Sequence, residues 1–266
     1  MDAPAYDRMG IEYAQVRRAD PRIEAAIHAA LGDAGTVLNV GAGAGSYEPA
    51  DREVLAVEPS PVMIAQRPPG AAPAIEAVVE DLPLADDSVD AVMGVFTMQH
   101  WSDIGRGLAE VARVGRDRAV FVTLDIDVAE SMWLGADYLP EMIEADRRDF
   151  PSLEQLASAL PGLVVNEIPV PSDCRDGFCI GLWSRPEAHL EPRVRRASST
   201  WHRLDPGVVE RALGRLAADL ENGEWDRRHG HLRELDELDV GLRLVQADLR
   251  SESETSRAGP PGPGSI

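Results

Sequence analysis

Glycine alternates with alanine in Gly41-Ala42-Gly43-Ala44-Gly45, directly after the apolar run Thr36 to Val40. Glycine reaches backbone conformations closed to other residues and leaves bare main chain for a ligand to lie against. By itself the run fits a nucleotide-binding turn or an ordinary tight turn between strand and helix. A carboxylate shifts that balance. Glu58 ends a second apolar run, 17 residues beyond Gly41. In a parallel sheet the ends of neighbouring strands share one edge, and a carboxylate there can accept hydrogen bonds from both hydroxyls of a ribose. Loop and acid together point to a ribose-containing cofactor, with nicotinamide dinucleotides still open. His100 follows a further apolar run at the same edge. An imidazole titrates near neutral pH, so His100 is the candidate base and substrate contact. Trp101, Trp133 and Tyr138 offer aromatic faces to an apolar or cationic substrate, or else fill a core. Asp125 either orients a substrate or caps a turn.

A sheet is needed to bring these residues together. Asp20-Pro21 opens a helix carrying Ile23, Ala26, Ile27 and Ala30, and glycines 32 and 35 end it. Strands are expected over 36–40, 53–57, 74–79, 89–96 and 118–124, with a helix from Ser102 to Val114. Strands alternating with helices imply parallel pairing in a doubly wound α/β fold. Beyond Asp125 the pattern changes. Residues 129–149 are rich in Met, Trp and Tyr and read as a substrate insertion. Ser152 with Gln155 forms a capping-box pattern. Sixth and seventh strands are expected over 163–170 and 239–245. Between them Asp205-Pro206 opens a helix whose stripe of Val209, Ala212, Leu213 and Leu216 reads as core.

Composition bounds the function. Acidic residues number 46 against 26 basic ones, a net charge of -20, which repels a phosphate backbone and argues against nucleic acid as partner. Cys174 and Cys179 are too few for a disulfide scaffold, and no clustered histidines accompany them as metal ligands. His202, His229 and His231 lie scattered among charges and read as surface residues, and Arg193, Arg195 and Arg196 as a solvated helix face. No apolar run reaches the roughly 18 residues of a membrane span, and the N-terminus lacks the apolar stretch of a signal peptide. A cytoplasmic monomer or homodimer acting on a small molecule, with no membrane partner, is expected.

Val37 to Gly45, Val57-Glu58-Pro59-Ser60-Pro61-Val62-Met63, Asp81-Leu82-Pro83 with Asp86 to Asp90, Val95 to Trp101, and Glu110 to Val114 form a set of stretches. Together they resemble class I, Rossmann-like S-adenosylmethionine-dependent methyltransferases, closest to the small-molecule group of the ubiquinone and menaquinone type. The resemblance implies S-adenosyl-L-methionine as cofactor and a seven-stranded, mostly parallel sheet with the last strand antiparallel. It implies that Gly41, Ala42, Gly43 and Gly45 lie against the methionine and ribose. Glu58 would hold the ribose hydroxyls, beside Pro59, and Met63 would pack on the adenine. Asp81 and Leu82 would receive the adenine edge, and Thr97 and Met98 would close the floor. Tyr6, Tyr13 and Arg17 resemble a lid helix, with Arg17 either facing the cofactor carboxylate or lying on a solvated helix face. Asn39 stands where the family has Asp, and Pro49 shortens the helix after the loop. The implied organisation is a lid over 1–20, a cofactor domain over 21–171, a helical cap over 172–237, a final strand over 238–250 and a disordered tail over 251–266. Methylation of O, N or C of a small molecule, in specialised metabolism, is the leading reading. A cofactor-binding chain that catalyses a non-methylating reaction, or that serves as a non-catalytic partner, is the alternative.

Overall fold

The computed structural model describes residues 13–160 and 162–250. Tyr6 and most of the lid segment, and the tail from 251, lie outside the described residues. Strands β1 (Thr36–Val40), β2 (Glu53–Val57), β3 (Ala74–Ile75), β4 (Val89–Val95), β5 (Gly115–Leu124) and β6 (Val164–Glu167) belong to one sheet. A short pair, β7 (Val170–Pro171) and β8 (Glu237–Leu238), stands apart, and β9 (Leu242–Asp248) returns to the main sheet. The order is β3-β2-β1-β4-β5-β9-β6. The first five strands pair in parallel, and β9 runs antiparallel to both β5 and β6. This is the expected seven-stranded sheet with its last strand reversed.

The helices are α1 (Tyr13–Val16), α2 (Pro21–Ala30), α3 (Pro61–Ile64), α4 (Ile104–Val114), α5 (Ile126–Ala129), α6 (Pro140–Asp149), α7 (Leu153–Ala159), α8 (Pro192–Arg196), α9 (Ser199–His202), α10 (Pro206–Glu221) and α11 (Glu224–His229). Central strands point successive side chains to opposite faces, and each face has its own core. Val37, Ala91, Val120 and Val122 meet Ile23 and Ile27 of α2 on one face. Leu38, Val92 and Phe121 meet Leu108 and Val111 of α4 and Leu156 of α7 on the other. The caps form as the sequence predicts. Asp20 accepts from Arg22 N, Ser152 and Gln155 bond reciprocally, and Asp205 accepts from Gly207 N and Val208 N.

Four boundaries depart from expectation. The third strand stops at Ile75, and Val79–Asp81 forms a 3₁₀ turn instead. The sixth is split before β7, where Pro169 offers no amide to the ladder. The seventh begins at Leu242, because Gly241 turns the chain at φ 89°. Most consequential, no helix follows the glycine run. Residues 41–52 cross from β1 to β2 by turns alone, with Pro49 removing a helical donor. The crossover is pinned by Tyr47, which is buried at φ 67° and donates its hydroxyl to Asp176 Oδ2 at 3.0 Å.

The core of the α2 face continues into the cap as an aromatic cluster. The Trp133 ring meets Trp225, His189 and Tyr138 edge-on at centroid distances of 5.4, 5.6 and 5.9 Å. Trp133 Nε1 donates to Trp183 O, and the Tyr138 hydroxyl donates to Asp219 Oδ2. His229 is not the surface residue that its charged neighbours suggest. It is half-buried against Trp225 and bonds Asp137 at 2.6 Å.

His189 is 1% exposed, and burial pushes its pKa down to about 3, with Arg195 and Arg185 adding to the effect. Below pH 6.5 the unfolded chain takes up a proton there that the folded chain refuses. Its contribution to stability is therefore full above that pH and falls as the pH drops toward 3. We predict that His189→Phe reduces the loss of unfolding free energy between pH 7 and pH 5 by about 2 kcal/mol. Urea titrations of wild type and variant at the two pH values check this.

Candidate active site

β1 is flanked by β2 on one side and β4 on the other, so the chain winds away in opposite directions from the ends of β1 and β4. Open α/β sheets hold ligands at such a point, beyond the carboxyl ends of the strands. Gly41 follows β1 and Phe96-Thr97 follows β4, and a cavity of about 410 Å³ opens between them, within the range of small-molecule sites.

Contact between the two strand ends dictates the glycine. Gly41 sits at φ 64°, and a Cβ there would lie 1.9 Å from Thr97 Oγ1. Gly43, at φ 52°, brings bare main chain to the cavity, where a Cβ would stand 3.4 Å from Met63 Cε. Glu58 crosses beneath them. One carboxylate oxygen accepts from Gly43 N and the other from Ser60 N, both at 2.8 Å.

A buried clamp holds the loop from behind. Arg67 pairs with Glu48 at 2.7 Å and donates to Gly43 O and Ala72 O. Asn39 donates to Glu48 Oε1 at 3.0 Å. Asn39 thus replaces the family's acid, and Glu48 brings an acid in from the crossover.

Of the expected cofactor contacts, Tyr13, Arg17, Gly41, Ala42, Gly43, Glu58, Pro59, Met63 and Thr97 line this cavity. Gly45, Asp81, Leu82 and Met98 are not among its walls. Gly45 faces the Glu48–Arg67 pair. The 3₁₀ turn leaves Asp81 exposed. The Leu82 amide donates to Glu110 Oε2 at 2.9 Å while its side chain joins the core. Met98 packs beneath the floor. The stretch that does face the cavity is Ala77-Val78-Val79-Glu80, which sequence reading assigned to the third strand and its end. Glu80 accepts from Ser102 N, Ser102 Oγ and Asp103 N and fixes the start of α4.

Arg17 reaches the cavity wall but makes a bidentate pair with Asp176 and lies 5.6 Å from the centre of the Phe96 ring. Asp176 is 1% exposed and was not singled out from sequence. An isolated acid between two cysteines carries no signal of a partner 159 residues away.

The expected substrate residues divide. His100 and Trp101 line the cavity, with Trp101 Nε1 donating to Thr97 Oγ1 at 3.2 Å. Trp133 and Tyr138 belong instead to the cap's aromatic cluster. Asp125 caps α5 and pairs with Arg243. His100 is exposed where it borders the cavity. Loss of solvation and the nearby Arg203 guanidinium push its pKa down to about 4, against an opposing pull from Asp149. Both effects favour the neutral imidazole, a hydrogen-bonding partner.

The cradle suits an adenosyl cofactor: bare glycine main chain, a carboxylate beneath it, and an apolar wall of Met63, Val78 and Val79 in one enclosure. Comparison with known proteins agrees. A family model for a methyltransferase domain matches residues 38–123, from β1 through the glycine loop and His100 into β5. None of the curated proteins matches the chain. Among solved structures, an Anabaena variabilis protein assigned as a methyltransferase from an antibiotic biosynthesis pathway is 33% identical, with a TM-score of 0.81. That match covers 88% of this chain and 99% of that one. A Thermotoga maritima S-adenosylmethionine-dependent methyltransferase shares the fold at 15% identity and a TM-score of 0.52, over 92% of this chain and 94% of its own. The chain belongs to the class I S-adenosylmethionine-dependent methyltransferases.

Proposed function

We propose that this methyltransferase moves the methyl group of S-adenosylmethionine to an oxygen, nitrogen or carbon of a small molecule in specialised metabolism. The observation that carries the reading is the meeting of Gly41, Gly43 and Glu58 with His100 and Trp101 around one enclosed cavity. Arg17 and Tyr47, both tied to Asp176, wall it in, which suits a small acceptor better than a polymer. The Anabaena relative's assignment to antibiotic biosynthesis supports specialised metabolism.

The bound cofactor supplies an electrophilic sulfonium methyl. The chain's own residues must hold it, align an acceptor, exclude water and, where needed, receive a proton. In this reading Glu58 takes the ribose hydroxyls, and Gly41 and Gly43 admit the methionine portion against bare backbone. Met63, Val78 and Val79 sandwich the adenine. Tyr13 and Arg17 shut the cavity. Neutral His100 accepts a hydrogen bond from the acceptor and orients it. Its low pKa suits it to that task better than to storing a proton.

Methyl-labelled S-adenosylmethionine incubated with the protein and small-molecule extracts tests the whole reading. Label is expected in the small-molecule fraction, and label found only in protein or RNA sinks it. Glu58→Gln is expected to weaken S-adenosylhomocysteine binding by about 10- to 100-fold in calorimetry, the worth of one charge-assisted hydrogen bond. Gly41→Ala is expected to abolish binding through its clash with Thr97. His100→Ala is expected to lower kcat/KM by at least about tenfold with cofactor affinity intact.

A further inference from the structure

A second, smaller pocket shares two walls with the cofactor cavity, Phe96 and Arg17. It lies where β4 and β5 end, roofed by α6 and the cap. Its free volume is about 40 Å³, room for a group of about three or four non-hydrogen atoms. Phe96 stands between the two spaces at φ 52°, a left-handed conformation costly for a bulky residue and concentrated at ligand-binding positions. Its ring packs 5.0 Å from Phe178.

The pocket's sides are apolar, with Met142, Phe150, Phe178 and Ile180 all buried. Its far end is polar. Arg203 pairs there with Asp146 and Asp149. Among the described residues, two atoms on this lining are buried without a hydrogen-bond partner, Arg203 Nε and Gln99 Oε1. The Gln99 amide orientation is set, because Nε2 donates to Phe96 O at 2.7 Å. A buried unsatisfied donor or acceptor costs about 1–3 kcal/mol, and such atoms call for an explanation. Here one is a donor and the other an acceptor, on a pocket that adjoins the cofactor cavity. Both are packed away from water, so a group entering the pocket satisfies them only with a small shift of the surrounding side chains.

Charge narrows the class. Among the described residues, Asp146, Asp149 and Asp176 face Arg203 and Arg17, three carboxylates against two guanidiniums. A further buried anion would meet an acid excess in a poorly solvated space.

We propose that the pocket behind Phe96 receives the head of the methyl acceptor, an uncharged group with both a donor and an acceptor, such as a hydroxyl or carboxamide on an apolar body. Gln99 and Arg203 read that head and reject its carboxylate counterpart. This rests on the methyl-transfer reading for the word acceptor, but the binding site is testable without it.

Benzamide, benzyl alcohol and benzoate serve as probes, observed by saturation-transfer NMR on the protein with and without S-adenosylhomocysteine. Benzamide and benzyl alcohol are expected to bind, and benzoate is not. Gln99→Met, which keeps length and removes the acceptor, and Arg203→Lys, which keeps charge and removes Nε–H, are each expected to weaken benzamide about tenfold. Affinity for S-adenosylhomocysteine should stay unchanged in both. No benzamide signal, benzoate bound as well as benzamide, or wild-type benzamide affinity in both variants overturns the proposal. Benzamide binding that Gln99→Met weakens, in a protein that transfers no label, upholds the pocket and overturns the methyl-transfer reading instead.

Discussion

The carboxylate of Asp176 joins three pieces of chain that are remote in sequence. Arg17, next to α1, takes it in a two-pronged pair, Tyr47 of the β1–β2 crossover donates to it, and the strand-like bridge between Arg17 and Asp176 fixes the backbone as well. A carboxylate this deeply buried is costly unless its lone pairs are occupied. The two donors meet that condition only when the N-terminal segment, the crossover and the cap lie together. Burial and the neighbouring carboxylate keep the Tyr47 hydroxyl protonated far above its usual range, so it remains a donor. The shape of the cavity thus follows from one charge-neutralisation requirement.

The same logic recurs around the sheet edge. Asp20 caps α2 and also accepts from the Arg175 amide beside Asp176, which makes one carboxylate both a helix stop and a tether for the cap. Glu48 and Arg67 brace the glycine loop, and Glu110 with Arg113 braces the segment after the 3₁₀ turn. Each uses an arginine, whose planar fork satisfies a carboxylate bidentately and still reaches a carbonyl. Precision at the site therefore rests on polar brackets between loops, while the sheet provides the rigid floor.

The sheet was readable from sequence because its strands are buried on both faces and its helices carry one-sided apolar stripes with orthodox caps. β5 and α10 illustrate each case. The Gly41–Glu58 pairing was readable because both lie at ends of adjacent parallel strands. What escaped was decided by three-dimensional competition. Val78 and Val79 look like strand, yet their strand ends at Ile75 and delivers them to the cavity. Trp133 and Tyr138 have the chemistry of a pocket wall, but aromatic identity does not say which space a ring fills. Asp176, Glu48 and Arg203 are ordinary charges until distant partners arrive. His229 read as surface because its neighbours are charged, yet the distant Asp137 holds it inward.

The turn-only passage from β1 to β2 has an electrostatic consequence. In dinucleotide-binding relatives of this architecture, a helix begins at the glycine turn and aims its partial positive end at a pyrophosphate. Here no helix begins at the glycine turn, and the Arg67 guanidinium behind the loop is taken by Glu48. A carboxylate lies beneath the glycine turn with no helix end opposite it, a field that disfavours diphosphates and tolerates a positively charged sulfur. Discrimination between two adenosine-bearing coenzymes is thus favoured by a stretch of chain that forms turns in place of a helix.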